Sequence, residues 1–206
     1  MAKALVELLR SQFGRGVLET HSQCGDETVV VEPSIWKDVA RFLKTSPTAE
    51  MNVLVDLTAV DFPEREPRFE VVVHLYSLSR GHRLRLKARV GEFDGENADI
   101  DSLSEFWGAA NWLERECFDM FGINFVGHPD LRRILMYPEF SGHALRKDYP
   151  ADRIQPLVPY RDAQNIQKLP PFGPDEGMPF GRQNHASALR GEGTELDHAA
   201  DDARMD

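Results

Sequence analysis

Cysteine is nearly absent. Cys24 and Cys117 are the whole complement of 206 residues, too few for a disulfide framework and short of the four thiolates that usually hold an iron–sulfur cluster. The expectation is two buried thiols. Long hydrophobic runs are missing as well: no apolar stretch approaches the ~20 residues of a membrane helix. Residues 1–10 lack the positive segment and continuous apolar core of a secretory signal, so the chain is expected to stay on the cytoplasmic side without inserting. No glycine-rich phosphate loop is present, because Gly14-Arg15-Gly16 lacks a third glycine and does not join a strand to a helix. Nor is there an excess of positive charge. With 24 Lys and Arg against 34 Asp and Glu, the formal charge is −10, which removes the basic footprint that nonspecific nucleic-acid binding requires.

What is present suits one well-filled domain with an appendage. Leu5, Leu8, Leu9 and Phe13 recur at helical spacing before Gly14 and Gly16 break the pattern. Val17 to His21 and Thr28 to Glu32 read as a hairpin across a Cys-Gly-Asp-Glu segment. Pro33 and Ser34 open a second helix to Lys44, with Ile35, Val39, Phe42 and Leu43 on one face. Val53 to Val60 reads as a buried strand punctuated by Asp56 and Asp61, and Arg68 to Leu78 with His82 to Val90 as a longer hairpin. In its second strand Arg83, Arg85, Lys87 and Arg89 alternate with apolar residues, which puts four cations on one face. They form either a docking surface for something acidic, such as RNA, or an outer face balanced by carboxylates, and basic outer strand faces are common. Glu92 to Ser104 is acidic and turn-rich, a solvated connection, after which Ser104 could cap a short helix through Trp107.

The fold class read from this order is α+β: a two-layer domain over residues 1–150, with helices covering a mixed or antiparallel sheet. Beyond Pro150 the composition changes. Seven of the 13 prolines lie between Pro150 and Pro179, so residues 151–206 are expected to be an extended proline-rich tail whose acidic last part is frayed or disordered.

Asn111 to Pro150 gathers the candidate functional residues. Trp112 to Phe121 reads as a helix stopped by Gly122. On a wheel, Trp112, Arg115, Glu116 and Asp119 share a polar arc, opposite Leu113, Cys117, Phe118, Met120 and Phe121. Glu114 falls on the apolar arc, where an ionised carboxylate needs a partner, and the expected partners are Arg132, Arg133, Arg146 and Lys147 downstream. Glu116 and Asp119 read as surface carboxylates, because nothing on a polar helix face drives their pKa values apart. A metal could draw on Glu116, Asp119, His128 and His143, but the histidines lie beyond the helix rather than one turn away on it. His128-Pro129-Asp130 reads as a turn in which Asp130 caps a helical turn from Leu131 to Met136. No nucleophile is set up, since Cys117 lies on the apolar arc and Ser141-Gly142-His143 carries no elbow pattern.

As a signature the segment says more. Glu114-Arg115-Glu116, Asp119-Met120-Phe121-Gly122-Ile123, Gly127-His128-Pro129-Asp130-Leu131-Arg132-Arg133-Ile134-Leu135, and Gly142-His143 with Leu145-Arg146-Lys147-Asp148-Tyr149-Pro150 closely resemble the C-subunit family of NADH:quinone oxidoreductase, hydrophilic peripheral-arm proteins of respiratory complex I. The resemblance implies a non-catalytic structural subunit that binds no cofactor, with FMN and iron–sulfur clusters carried by other subunits. Its implied partner is the large subunit that helps form the quinone site, and its implied place is the cytoplasmic side of the membrane, held there through the complex. Glu114, Arg115, Glu116, Asp119, Gly122, His128, Pro129, Asp130, Arg132, Arg133, His143, Arg146, Lys147 and Asp148 become structural or interface residues on this reading. Two alternatives remain open: the equivalent subunit of a membrane-bound hydrogenase or other donor:quinone dehydrogenase, and a soluble metal-dependent enzyme.

Overall fold

The computed structural model describes residues 2–156, so most of the expected tail, residues 157–206, lies outside the described residues. Helix α1, Ala2–Phe13, buries Leu5, Val6 and Leu9, one face of a 3.6-residue repeat. Strands β1, Val17–Gln23, and β2, Asp26–Val31, form an antiparallel hairpin. Its turn places Cys24 and Gly25 at positive φ, and this puts Cys24 at an exposed tip rather than in the core expected for it. After a single 3₁₀ turn, Pro33–Ile35, helix α2, Trp36–Thr45, buries Trp36, Val39, Ala40 and Leu43.

Strands β3, Val53–Asp61, β4, Phe69–Ser77, and β5, His82–Val90, complete a five-stranded sheet in the order β1-β2-β5-β4-β3. Within it the β2/β5 seam alone is parallel, so the sheet is mixed and the fold is α+β, as expected. Period two divides its faces. Val29, Val31, Val71, Val73, Leu84, Leu86 and Ala88 meet the apolar sides of the helices in one core, and the other face carries the β5 cations. Three of those four meet carboxylates: Arg85 with Asp26 at 3.5 Å, Lys87 with Glu70 at 2.6 Å, and Arg89 with Glu19 at 2.8 Å and Glu70 at 3.4 Å. That is the balanced outer face, three of whose cations are spent on neighbouring strands.

The acidic connection is not wholly a loop. Its end forms strand β6, Asp99–Asp101, which pairs in parallel with β7, Asn124–Val126, on the far side of helix α3, Ala110–Phe121. Three residues are too few to show a period, and the aspartates flanking Ile100 disguise it. Yet Ile100 and Phe125, which face each other in the register, are both buried. No helix forms between Ser104 and Trp107, where the chain makes a turn. Trp107 enters the core instead, and its indole N–H donates to the Met51 carbonyl at 3.0 Å.

Candidate functional site

Helix α3 ends as its sequence requires. Gly122 takes φ +81° and its N–H bonds the Phe118 carbonyl, and a Cβ there would stand 2.6 Å from both Arg146 Nη2 and His143 Nε2. The glycine thus stops the helix and admits two later side chains against its end.

Those side chains and their neighbours cover α3 with a layer of irregular backbone. Asp119 is its hub. The carboxylate is fully buried, its Oδ2 accepting the backbone N–H groups of Ile134, Leu135 and Met136 at 3.1, 2.8 and 2.8 Å, and its Oδ1 accepting Arg133 Nη1 at 2.7 Å. Burial raises its pKa, but these hydrogen bonds, led by that from Met136, outweigh burial and hold the carboxyl below its ordinary range. Arg133 continues to the Gly142 carbonyl at 3.1 Å, and His143 Nδ1 donates to the Asp119 carbonyl at 3.0 Å. Burial lowers the pKa of His143, which keeps the ring neutral near pH 7. The surface-carboxylate reading of Asp119 is therefore corrected, as is the expected helix from Leu131 to Met136. That segment has no helical hydrogen bonds and hangs on the Asp119 carboxylate instead. Asp130 is not its cap: its own N–H donates to His128 Nδ1 at 3.0 Å.

A second ionic group anchors the far end of the segment. Arg68 makes a two-pronged pair with Asp61, Nε to Oδ1 at 2.7 Å and Nη2 to Oδ2 at 2.9 Å, and reaches Asp148 at 3.0 Å and the Phe93 carbonyl at 3.4 Å. Arg68 and Asp61 are almost wholly buried. Burial raises the Asp61 pKa, but the Arg68 guanidinium and the Lys147 N–H, which donates at 2.7 Å, together hold it low. Lys147 therefore contributes its backbone here while its side chain is exposed. Arg146 donates to the Phe121 carbonyl at 2.6 Å and the Gly95 carbonyl at 3.1 Å and lies 5.3 Å from the Phe69 ring centre. Burial, with the like charge of Arg68 next, pulls its pKa down.

Glu114 is the other buried acid on α3, and its partners are not the expected bases. They lie upstream: Ser102 Oγ donates to Oε2 at 2.6 Å and Leu103 N–H to Oε1 at 2.6 Å. Burial pushes its pKa up to about 7 against those two bonds. His128 Nε2 is 4.0 Å away and faces the Asn111 carbonyl at 3.0 Å. Arg115 lies along the helix surface, donating to the Arg132 and Arg133 carbonyls at 3.1 and 3.2 Å. Arg132 and Asp130 form an exposed pair at 2.9 Å, and Glu116 and Pro129 are exposed.

The signature residues thus fall into three groups: one around Asp119, one around Arg68, and the isolated Glu114. Sequence reasoning missed Asp61, Arg68 and Ser102, which precede the signature. The one signal for them is that Asp61 closes an apolar strand. Chemically the arrangement fixes backbone, since most of its cations end on main-chain carbonyls. Among the described residues no group of three or more His, Cys, Asp or Glu is placed to hold a metal ion. Outside the ionic layer, Trp112, Val126, Leu135 and Leu145 are exposed apolar residues.

Comparison with known proteins adds an independent line. Residues 29–155 match the family model described as "Respiratory-chain NADH dehydrogenase, 30 Kd subunit". The chain is 47% identical over 143 residues to the C subunit of NADH-quinone oxidoreductase from Geobacter sulfurreducens, covering 69% of this chain and 85% of that one. It is 45% identical over 156 residues to the protein of the same name in Rhodobacter capsulatus, covering 72% and 76%. Among solved structures, it resembles the "Nqo5 of the trypsin-resistant fragment (1-134)" with TM-score 0.53 at 31% identity, over 62% of this chain and 98% of the fragment. It also resembles a chain of the "membrane-bound sulfane sulfur reductase (MBS), an archaeal respiratory membrane complex", with TM-score 0.60 at 25% identity, over 73% and 86%.

Proposed function

The chain belongs to the respiratory-chain NADH dehydrogenase 30 kDa subunit family, and from that membership we propose that it is a non-catalytic structural subunit of a proton-translocating NADH:quinone oxidoreductase. Its signature segment docks on the large subunit that helps form the quinone site. The complex works at the cytoplasmic face of the membrane and carries its FMN and iron–sulfur clusters in other subunits. The observation that carries this reading is the use to which the segment puts its charges. Asp119, Arg133, Arg146 and Asp61 spend them on the backbone of α3 and of residues 134–147, which turns loops without regular structure into a fixed surface that bears Leu135 and Leu145. A partner subunit meeting such a surface loses little loop entropy on binding.

The test is to isolate the tagged full chain from membranes. It should co-purify with NADH:quinone oxidoreductase activity, and Arg133→Ala should lower both the yield of complex and that activity. If Arg133→Ala folds and assembles with unchanged activity, the ionic layer has no docking role. The likeness to the sulfane sulfur reductase chain keeps a second reading, the equivalent subunit of another respiratory membrane complex, and co-purified partners that do not oxidise NADH would establish it. A stoichiometric metal ion in the pure chain would instead point to a metal-dependent enzyme.

A further inference from the structure

Glu114 is joined to the surface by two hydroxyl groups. Its Oε2 lies 2.6 Å from Ser102 Oγ, and Ser102 Oγ lies 2.7 Å from Ser104 Oγ. Glu114 and Ser102 are buried, whereas Ser104 lines a shallow groove of about 520 Å³ with Glu105, Asn111, Trp112 and Pro129. The three groups make one hydrogen-bonded line from the core to solvent.

Protonation sets the direction of that line. An ionised carboxylate only accepts, so Ser102 must donate to Glu114 and Ser104 to Ser102, whose Oγ also takes the Ser104 N–H at 3.2 Å. With Glu114 neutral, its Oε2–H donates to Ser102, Ser102 to Ser104, and Ser104 outward to the groove. Oε1 accepts the Leu103 N–H in both states. Neither state strands a buried donor or acceptor, which is the usual penalty for changing the charge of an interior group.

The surroundings do not fix either state. Among the described residues no lysine or arginine pairs with Glu114. The His128 ring at 4.0 Å is committed on both sides, Nδ1 accepting the Asp130 N–H and Nε2–H donating to the Asn111 carbonyl. Cys117, farther along α3, is a neutral thiol pushed up by burial and then by Glu116, Glu114 and Asp56. Glu105 on the groove rim pairs with Lys37 at 3.0 Å.

We propose that Glu114 is a proton-binding site of the core, filled and emptied from the groove through the hydroxyls of Ser104 and Ser102. In filling, hydronium in the groove gives a proton to Ser104 Oγ, Ser104 passes its own to Ser102 Oγ, and Ser102 passes its own to Glu114 Oε2. Each broken O–H bond is replaced by a new one, and no electron changes hands. The Ser104 hydroxyl then presents a donor rather than an acceptor to whatever occupies the groove. This goes beyond the structural-subunit reading and does not depend on it.

Infrared titration of the full chain, with its glutamates carrying ¹³C at the carboxyl, tests the proposal. Glu114→Gln, which copies the neutral acid's donor and acceptor, identifies the Glu114 band by removing it. The neutral-carboxyl band should titrate near the value of about 7 expected for this group. A rapid pH jump should empty it about tenfold more slowly in Ser104→Ala, the cost of one lost relay bond. Ser104→Thr should restore the rate. Ser102→Ala should slow emptying and raise the midpoint, because the ionised form loses a donor. Titration in the ordinary carboxylate range would overturn the site. Wild-type jump kinetics in Ser104→Ala would overturn the path, whether or not Ser102→Ala folds.

Discussion

Asp119 and Glu114 lie five positions apart on one helix, and both are wholly buried, yet the protein treats them oppositely. Asp119 meets a guanidinium and three backbone N–H groups, so charge is the state its surroundings favour. Glu114 meets one hydroxyl and one N–H, too little to repay the desolvation of a carboxylate. Burial alone therefore does not decide whether an interior acid is ionised. The number and charge of its donors do. The loops covering the Asp119 end are held by that charge, whereas the Ser102 to Ser104 turn is held by hydrogen bonds that survive its loss.

The widest gap between the two should appear on truncation. Asp119→Ala strands Arg133 and three loop amides, with an expected loss of about 3–5 kcal/mol, measured by denaturant unfolding of the full chain and by release of the 131–149 loops to protease. A loss under about 1 kcal/mol, the worth of an exposed pair, would mean that these loops hold themselves.

The pH dependence should have opposite signs. The folded pKa of Glu114 is raised from 4.5 to about 7, so the folded state binds more protons in that window, and stability contributed by the neutral acid is lost as pH rises through it. The slope should reach about 1.4 kcal/mol per pH unit and flatten in Glu114→Gln. Asp119 is shifted down, so its contribution is complete above the ordinary carboxylate range and disappears as pH falls through the depressed value. Stability curves of the wild type, Glu114→Gln and Asp119→Asn between about pH 2 and 8 separate the two signs.

Smaller effects sharpen the same contrast. Gly122→Ala imposes a left-handed conformation on a residue with a Cβ and crowds Arg146 and His143, for a loss of about 1–3 kcal/mol in thermal or denaturant unfolding. Arg132→Ala removes an exposed pair with Asp130, for which about 0–1 kcal/mol is expected. An effect as large as that of Asp119→Ala would show that exposed members of the segment are as structural as buried ones.

The regular elements are legible because their periods are set by one burial surface each. The alternation in β5, the Gly122 stop and the Pro33 start are all readable in the sequence and appear in the fold. The carboxylates of α3 mislead for a physical reason. A helical wheel sorts residues by one apolar face, but α3 is covered on two sides, by the sheet and by the loops after β7, so the polar arc holding Asp119 is interior as well. Glu114 stands out as anomalous, but its sequence points toward cations as partners, since sequence shows charge and not the free N–H of an irregular turn at Leu103. Arg68 and Asp61 are invisible as a pair, because the strand ends that join them to Asp148 and Lys147 lie far from those residues in sequence.

The Asp119 carboxylate also has a consequence in time. The amides of Ile134, Leu135 and Met136 belong to no helix or sheet, and such amides ordinarily exchange their hydrogens quickly with water. Here each ends on a buried acceptor, so their exchange must wait for the ionic layer over α3 to open. A stretch that looks like loop to every geometric criterion should thus keep its hydrogens as long as the helix beneath it.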